Sequence, residues 1–530
     1  MHGLTPSLIV AALSLALTAC HHSDATDPGI SGAYHVDCTQ REAGDGSVAH
    51  PWNSLDQASA LTLTPGTNIL FKRGTVCTGA LELRGAGAAD RPARVGAYGE
   101  GSLPRIDGVC SSDPAFPDAV LLEDVSHVIL EDLELTNRGD RTKICRGVHV
   151  VAKAEAVVSN VTVQRLHIHN VDGASSPKET GGDGILFDAQ ASGSFKTRFD
   201  GVLVSDNLLE DVYRMGIWLN VAEGARGVRS PSGAWPEAAT RVVARGNRLY
   251  RIGGDGIVVT GAFGAHIEDN VLGGGNLLHK PITDPNWLYS AGMWAFASND
   301  TVIQRNEVYG MLGPEADGTG FDIDFNQDGT IVQYNYSHDN AGGFILVCDS
   351  LIQQRSAVVR YNLSIDDYGL VRDGLCQLPP IGTGGLFQVK VYNNTFVGKE
   401  PINGSTSIIG ASNHIQDPTS YEFFNNIVYS TTEIPYLGFV CPLHCANNLF
   451  FNMLPVALPP FIFADPLFQD AARRGVGREI AGGFALRAGS PAVGTGRTIA
   501  GHPDRDYFGN PVPADTAPTI GFYEPPRPTP

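Results

Sequence analysis

A short strand pattern that ends in asparagine recurs along the chain and constrains its fold more than any other feature. Alternating apolar residues are followed by Asn and a second apolar run, as in VLVSDNLLEDV (202–212) and TIVQYNYSHDN (330–340). The recurring asparagines are Asn207, Asn247, Asn270, Asn306, Asn335, Asn362, Asn394 and Asn426, separated by 23 to 40 residues. A repeat of this length, built from strands and without a helical signal, predicts a solenoid.

The predicted fold is all-β, a single-stranded right-handed parallel β-helix over residues 34–465. Asn suits the bends between strands because it tolerates left-handed backbone and bonds locally. Asparagines stacked on successive turns are also expected to form a side-chain ladder inside the coil. Residues 222–240 and 273–290 are predicted to be inserted loops, and residues 466–530 an irregular segment packed along the coil.

A second strand follows most of these asparagines and usually opens with glycine. When these strands are aligned on that glycine, the next residue is apolar and is predicted to face inward: Ile185, Ile217, Ile257, Met293, Phe321, Phe344 and Leu370. Because side chains alternate along a strand, the second and fourth positions are predicted to face outward. These outward pairs are Leu186 and Asp188, Trp218 and Asn220, Val258 and Thr260, Trp294 and Phe296, Asp322 and Asp324, Ile345 and Val347, and Val371 and Asp373.

The outward positions predict a catalytic groove. Asp is depleted in strands, yet Asp322 and Asp324 occupy one strand and point to the same face. A glycoside hydrolase needs two carboxyl groups flanking the scissile bond, so these two are the predicted acid and base, assisted by Asp188 or His338. The predicted substrate-binding side chains, among them flat aromatic rings suited to a sugar, are Trp218, Trp294, Asn220 and Phe296.

Charge and the N-terminus indicate an exported protein that does not bind nucleic acid. The net charge is −19, with 56 acidic against 37 basic residues, which disfavours a phosphate-rich partner. The apolar run Leu8–Leu17 is too short to span a membrane, and the following Leu17-Thr18-Ala19-Cys20 resembles a bacterial lipobox. That resemblance implies a signal peptide at 1–19, a lipid anchor on Cys20 and a tether at 20–33. His21 rather than Asp after the cysteine implies the outer membrane, and a monomer is expected.

The cysteines predict disulfides. Eight of the nine cysteines remain when Cys20 is set aside, an even number in an exported protein. The predicted pairs are Cys348 with Cys376, about one repeat apart, and Cys441 with Cys445. The pairing of the N-terminal cysteines is left open; these are Cys38, Cys77, Cys110 and Cys145. A zinc site is the weaker alternative because no two C-x-x-C motifs occur.

Longer stretches carry a family resemblance. DGTGFDIDFNQDGTIVQYNYSHDNAGGFILVC (317–348) resembles a motif of secreted bacterial right-handed β-helix proteins associated with polysaccharide breakdown. GDGSVAHPWNSLDQA (44–58) is similar to the opening of pectate-lyase-like β-helix enzymes, and ADPLF (464–468) lies in a stretch similar to their closing segment. The resemblance implies the fold over about 34–525 and a polysaccharide or oligosaccharide substrate. The N-T-D, D-D and G-H-G series of polygalacturonases is missing, so no catalytic residue is carried over from them.

Three functions stay open at this point, of which glycoside hydrolysis is the main one. A polysaccharide lyase acting on a uronate polymer with Ca²⁺ would need a basic residue, and its candidates are Lys178, Lys280, His279, Arg214 and Arg372. The third function is a non-catalytic carbohydrate-binding solenoid. No cofactor is expected to be required, although the aspartate pair could instead bind Ca²⁺ or be plain surface residues. Asp183 and Asp255, which precede glycine, are predicted to form turns.

Overall fold

Three long parallel sheets wind around one core. The computed structural model describes residues 32–110, 117–139, 143–173, 181–190, 196–222, 238–275, 277, 290–313, 318–324, 327–347, 356–367, 371–372, 388–398, 421–434, 444–453 and 461–526. Strands with the periodicity expected from sequence pair one turn apart and in parallel throughout. The predicted parallel β-helix is therefore confirmed.

Each turn of the coil contributes strands to three sheets. The first sheet contains Ala33–Val36, Asn68–Lys72, Ala93–Tyr98, Val128–Glu131, Val157–Gln164, Arg198–Ser205, Ala239–Arg245 with Ala262–Phe263 beside it, His266–Glu268, Val302–Gln304, Thr330–Gln333, Ser356–Arg360, Gln388–Tyr392, Tyr421–Phe424 and His444–Ala446. The second contains Thr62–Leu63, Leu81–Ala86, Asp118–Ser126, Arg146–Ala152, Asp183–Ala189, Met215–Asn220, Ile257–Thr260, Met293–Phe296, Thr319–Ile323, Gly343–Val347 and Val371–Arg372. The third contains Val76–Thr78, Arg105–Asp107, Glu134–Asn137, His167–Val171, Leu208–Val212, Arg248–Ile252, Val271–Gly275, Glu307–Met311, Tyr336–His338, Leu363–Ile365, Thr395–Gly398, Ile427–Ile434, Leu449–Met453 and Ile462–Phe463.

The predicted asparagine ladder lines the bend between the first and third sheets. All eight recurring asparagines are buried, and each side-chain oxygen from Asn247 onward accepts hydrogen bonds from the preceding asparagine. The ladder continues to Asn448. The left-handed residue at each bend is the one before the ladder asparagine, for example Asp206 or Arg305. The ladder asparagine is therefore selected for its side-chain bonds rather than for its backbone.

The ends of the coil carry the helices and the disulfides. A short α-helix, Leu55–Ser59, packs at the N-terminal end, and a 3-10 helix, Arg478–Phe484, lies in the irregular C-terminal segment. Cys38 is bonded to Cys77 and Cys110 to Cys145. Cys445 is disulfide-bonded, but Cys441, Cys348 and Cys376 lie outside the described residues, so the two predicted pairs stay predictions. Among the described helices, none is long and apolar enough to cross a membrane.

The glycine alignment of the second sheet is correct up to Asp322 and wrong by one residue beyond it. Gly343 pairs with Thr319, which puts Ile345 beside the inward Phe321 and Leu346 beside Asp322. Gly343 is the first residue of this strand and has a φ of +119°, a backbone conformation that interrupts the regular alternation of side chains after it. The outward position therefore belongs to Leu346, not to Ile345 or Val347. The next strand follows the same register, with Val371 beside Ile345 and Arg372 beside Leu346.

Candidate active site

One outward column of the second sheet contains three of the residues that the sequence singles out, two tryptophans and an aspartate. Trp218 pairs with Leu186 on one side and Val258 on the other, and Val258 pairs with Trp294. Trp294 pairs in turn with Asp322. The two tryptophans and Asp322 therefore share one face of the coil, and Trp294 lies one strand spacing, about 4.8 Å, from Asp322.

The two predicted catalytic carboxyls differ in their exposure. Asp322 is only 4% exposed although it occupies the outward column. Asp324 follows the strand Thr319–Ile323 directly and is half-buried. The expectation of two exposed side chains is therefore wrong for Asp322. Residues two apart on an extended segment have Cα atoms separated by about 6.5–7 Å, so the two side chains start from neighbouring backbone positions.

The aromatic side chains of this face are only partly accessible. Trp218 is 7% exposed and packs with Leu186, Met215 and Val258 in an apolar cluster outside the main core. Its indole nitrogen donates to Thr260 Oγ1 at 3.3 Å. Burial removes Trp218 from the predicted sugar-binding surface, because its ring is already covered. The half-buried rings of Trp294 and Phe296 keep part of their surface accessible.

Asp188 lies too far from the aspartate pair to assist it. Its strand is four positions away in the sheet from the strand of Asp322, a distance of about 19 Å. Asp188 instead accepts hydrogen bonds from Gln190 Nε2 at 2.5 Å and Asn220 Nδ2 at 3.1 Å. The prediction that Asp188 assists the aspartate pair is therefore wrong, whereas the substrate-binding role of Asn220 stays a prediction. Alternation along a strand predicts that a side chain faces outward, but it does not predict that two outward side chains on different strands are close together.

A buried acid–base network adjoins Asp188 and was not predicted. His149 Nδ1 bonds to Asp118 Oδ2 at 3.1 Å, and its Nε2 lies 3.9 Å from Asp188 Oδ2. Arg146 Nη1 donates to Asp118 Oδ1 at 3.0 Å. Burial by itself lowers the pKa of His149, but its bonds to the two carboxylates outweigh this and raise it. Asp183, fully buried and 3.7 Å from Arg146 Nε, has a pKa that burial raises to about 7.

His338 lies on another side of the coil. It belongs to strand Tyr336–His338 of the third sheet, whereas Asp322 belongs to the second. Its ring nitrogens bond to Glu307 Oε1 at 3.2 Å and Asp339 Oδ2 at 2.8 Å. The prediction that His338 assists the aspartates is therefore wrong, because a histidine that follows a bend need not share a sheet with the strand before it.

Of the five residues predicted for a lyase, the structure describes the side chain of Arg214. Arg214 is fully buried, and its Nη2 lies 3.0 Å from Asp255 Oδ2. Lys178, His279 and Lys280 lie outside the described residues. The backbone of Arg372 pairs with that of Leu346. Within the described ranges, no group of three or more His, Cys, Asp or Glu side chains could hold a metal ion.

Fold and site together define a parallel β-helix protein that presents carboxyls and aromatic rings on one outer sheet face. No family model matches the chain. It is 30% identical over 458 residues to a lacto-N-biosidase of Bifidobacterium longum subsp. longum, covering 71% of this chain and 28% of that protein. It also resembles the native and selenomethionine crystal structures of GH136 lacto-N-biosidase from Eubacterium ramulus, with a TM-score of 0.60 and 26% identity.

The chain is shorter than these relatives. The structural match covers 70% of this chain and 64% or 65% of the solved chains. The chain therefore spans just under two thirds of the solved structures and less than a third of the curated relative. The resemblance to carbohydrate-degrading β-helix proteins, predicted from the sequence motifs, is confirmed.

Proposed function

We propose that this chain is a glycoside hydrolase that cleaves an oligosaccharide beside Asp322 and Asp324. The single observation that carries the proposal is the 30% identity to a lacto-N-biosidase, extended over 458 residues. The substrate of first choice is accordingly a glycoside of lacto-N-biose. The supporting geometry is the aspartate pair, one strand spacing from the half-buried ring of Trp294.

The environments of the two carboxyls support different roles. Inverting glycosidases hold their carboxyls roughly 6.5–9.5 Å apart, with one protonating the leaving oxygen and the other activating water. The Cα separation of about 6.5–7 Å is compatible with that range once side-chain freedom is included. Asp324, half-buried, can be reached by water and is assigned the base. Asp322, 4% exposed beside Trp294, is assigned the general acid.

The proposal extends to the location of the enzyme and to its cofactor requirement. The lipobox-like segment ending at Cys20 supports an exported lipoprotein of the outer membrane, and metabolic labelling with a fatty acid tests it. The enzyme is proposed to need no metal ion. Activity that is abolished by a chelator and restored by Ca²⁺ would favour the calcium-dependent lyase instead.

Hydrolysis is tested with the 4-nitrophenyl glycoside of lacto-N-biose and with a panel of polysaccharides. Asp322→Asn and Asp324→Asn should each lower kcat by about 10²–10⁴-fold, the usual contribution of general acid–base catalysis. Asp206→Asn, at an exposed bend outside the second sheet, is the matched control and should retain full activity. Melting curves identify any loss that comes from unfolding of the buried Asp322 variant.

Two outcomes would contradict the proposal. If both Asn variants keep near-normal turnover, the catalytic groups lie elsewhere. If the polysaccharide panel yields products with the ultraviolet absorbance of an unsaturated uronate, the reaction is elimination and not hydrolysis.

A further inference from the structure

The turn Gly253–Gly256 holds an ion pair that reaches the ring of Trp294. Asp255 is fully buried, and its Oδ1 accepts hydrogen bonds from Trp294 Nε1 and from the backbone N–H of Ala291, both at 3.0 Å. Its Oδ2 lies 3.0 Å from Arg214 Nη2. One carboxylate thus connects a cation on one side to an indole on the other.

The arginine is itself held in a fixed position. Arg214 is fully buried, and its Nη1 donates to Ser290 Oγ at 3.3 Å. A Cβ on Gly254 would lie 1.5 Å from Arg214 Nη1, so only glycine leaves room for the guanidinium. The Gly-Gly-Asp-Gly sequence therefore has a second role besides the turn. Gly254 leaves space for the guanidinium of Arg214, and Asp255 pairs with that guanidinium.

Two comparable sites among the described residues lack this arrangement. The same Gly-Gly-Asp-Gly sequence occurs at 181–184, where Asp183 lies 3.7 Å from Arg146 Nε and its oxygens accept no hydrogen bond from the described residues. Trp218, in the same column as Trp294, donates to the neutral hydroxyl of Thr260. A hydrogen bond to an ionised acceptor is stronger than one to a neutral acceptor.

We propose that Asp255 and Arg214 are positioning residues that hold the indole of Trp294 as a sugar-stacking platform beside Asp322. This inference rests on the proposed function. Trp294 is half-buried and pairs with Asp322 on the next strand. The hydrogen bond from its ring nitrogen to Asp255 fixes the orientation of the indole, so the same part of the ring is accessible to each substrate molecule. An aromatic side chain loses little freedom when it binds a ligand if the protein has already fixed it.

The inference is tested by the affinity for lacto-N-biose, measured by calorimetry on the full chain, which requires no hydrolysis. Asp255→Asn removes the negative charge beside Arg214 and weakens the acceptor of the indole hydrogen bond, and Trp294→Phe removes the donor, so each should weaken binding about tenfold. Trp294→Phe keeps the Asp255–Arg214 pair and so guards against a folding defect in Asp255→Asn. The double variant should lose no more than either single variant, since coupled changes do not add.

Matched controls use the same substitutions two strands away in the sheet. Asp183→Asn and Trp218→Phe should leave the affinity within about twofold, because neither touches the bond between Asp255 and Trp294. On the hydrolysed glycoside, Asp255→Asn should raise KM and leave kcat within about threefold, which a general loss of structure would not do. Fluorine NMR of protein labelled with 5-fluorotryptophan should show the Trp294 resonance shifted in Asp255→Asn and in the presence of the sugar.

The two proposals can fail separately. Wild-type protein that binds lacto-N-biose but hydrolyses none of its glycosides would refute the proposed function and leave the platform intact. The platform is overturned if Asp255→Asn binds as tightly as wild type, if the wild type does not bind the sugar, or if the effects of the two variants add.

Discussion

At the scale of single residues, burial on the outer faces of this coil is accompanied by specific polar partners. Arg214 pairs with Asp255, and His338 bonds to Glu307 and Asp339. An ionisable group removed from water is tolerated only when it is paired and hydrogen-bonded. Residue type alone therefore does not show that a charged side chain on these faces belongs to a site, since Arg214 and His338 are held by buried partners.

His338 makes folding stability depend on pH in the alkaline range. Its ring stacks on Tyr336 and Tyr309, at centroid distances of 4.4 and 4.8 Å. Burial by itself lowers the pKa of His338, but the bonds to Asp339 and Glu307 outweigh it and raise the pKa to about 9. The unfolded value is about 6.5, so the contribution is complete below that pH and is lost as the pH rises towards 9.

We therefore expect His338→Gln to lower the urea midpoint strongly at pH 6 and much less at pH 9.5. His50→Gln, at an exposed site, is the control and should show no such difference between the two pH values. A deficit of equal size at both pH values would show that His338 acts through packing and not through its charge.

At the scale of elements, the asparagine ladder links successive turns by side-chain bonds inside the coil. Asn306 Oδ1 accepts from the backbone N–H and the side chain of Asn270, and its Nδ2 donates to the carbonyl of Ile267 and to Asn335 Oδ1. These groups lie where water cannot replace a lost partner. Each rung therefore holds its two neighbours in register.

Asn306→Ala should lower the free energy of unfolding by on the order of 3 kcal/mol, because more than one buried polar group loses its partner. Denaturant titration measures the loss. Asn68→Ala, outside the ladder and with a side-chain bond to the Gly66 carbonyl, should cost much less. Equal losses in the two variants would mean that the ladder has no special role.

At the scale of the whole molecule, the C-terminal segment is part of the folded unit. A second apolar cluster joins Leu363 and Leu449 of the third sheet to Phe468, Phe484 and Phe522 of the segment. Polar contacts accompany it, since the N–H of Gly477 donates to Glu307 Oε1 at 2.7 Å. The segment therefore packs against the coil and belongs to the same folded unit.

Phe484→Ala should destabilise the whole chain by about 3–5 kcal/mol, the usual cost of removing a buried phenylalanine. Phe484 is fully buried, with its ring centroid 5.3 Å from that of Phe468. Val493→Ala, at a position 40% exposed, is the control and should change stability by less than about 0.5 kcal/mol. A local loosening of the segment, with an unchanged transition for the coil, would show that the two fold independently.

Sequence periodicity by itself determined the coil, the ladder and the sheet that bears the site. The repeat length specifies a solenoid, the buried asparagines specify the bend, and alternation in the strands assigned Trp218, Trp294 and Asp322 to one column. These are local rules, because each depends on residues only a few positions apart.

Only the tertiary structure decided which of these residues share a site. Asp188 and Asp322 have the same phase but lie about 19 Å apart, and His338 has a suitable chemistry on the wrong sheet. The register shift at Gly343 depends on the positive φ of that residue. The sequence does not predict it, because Gly342 and Gly343 are adjacent and either could adopt such a conformation. Separation along the coil, burial and partner choice are set by contacts between turns, and residues distant in sequence make those contacts.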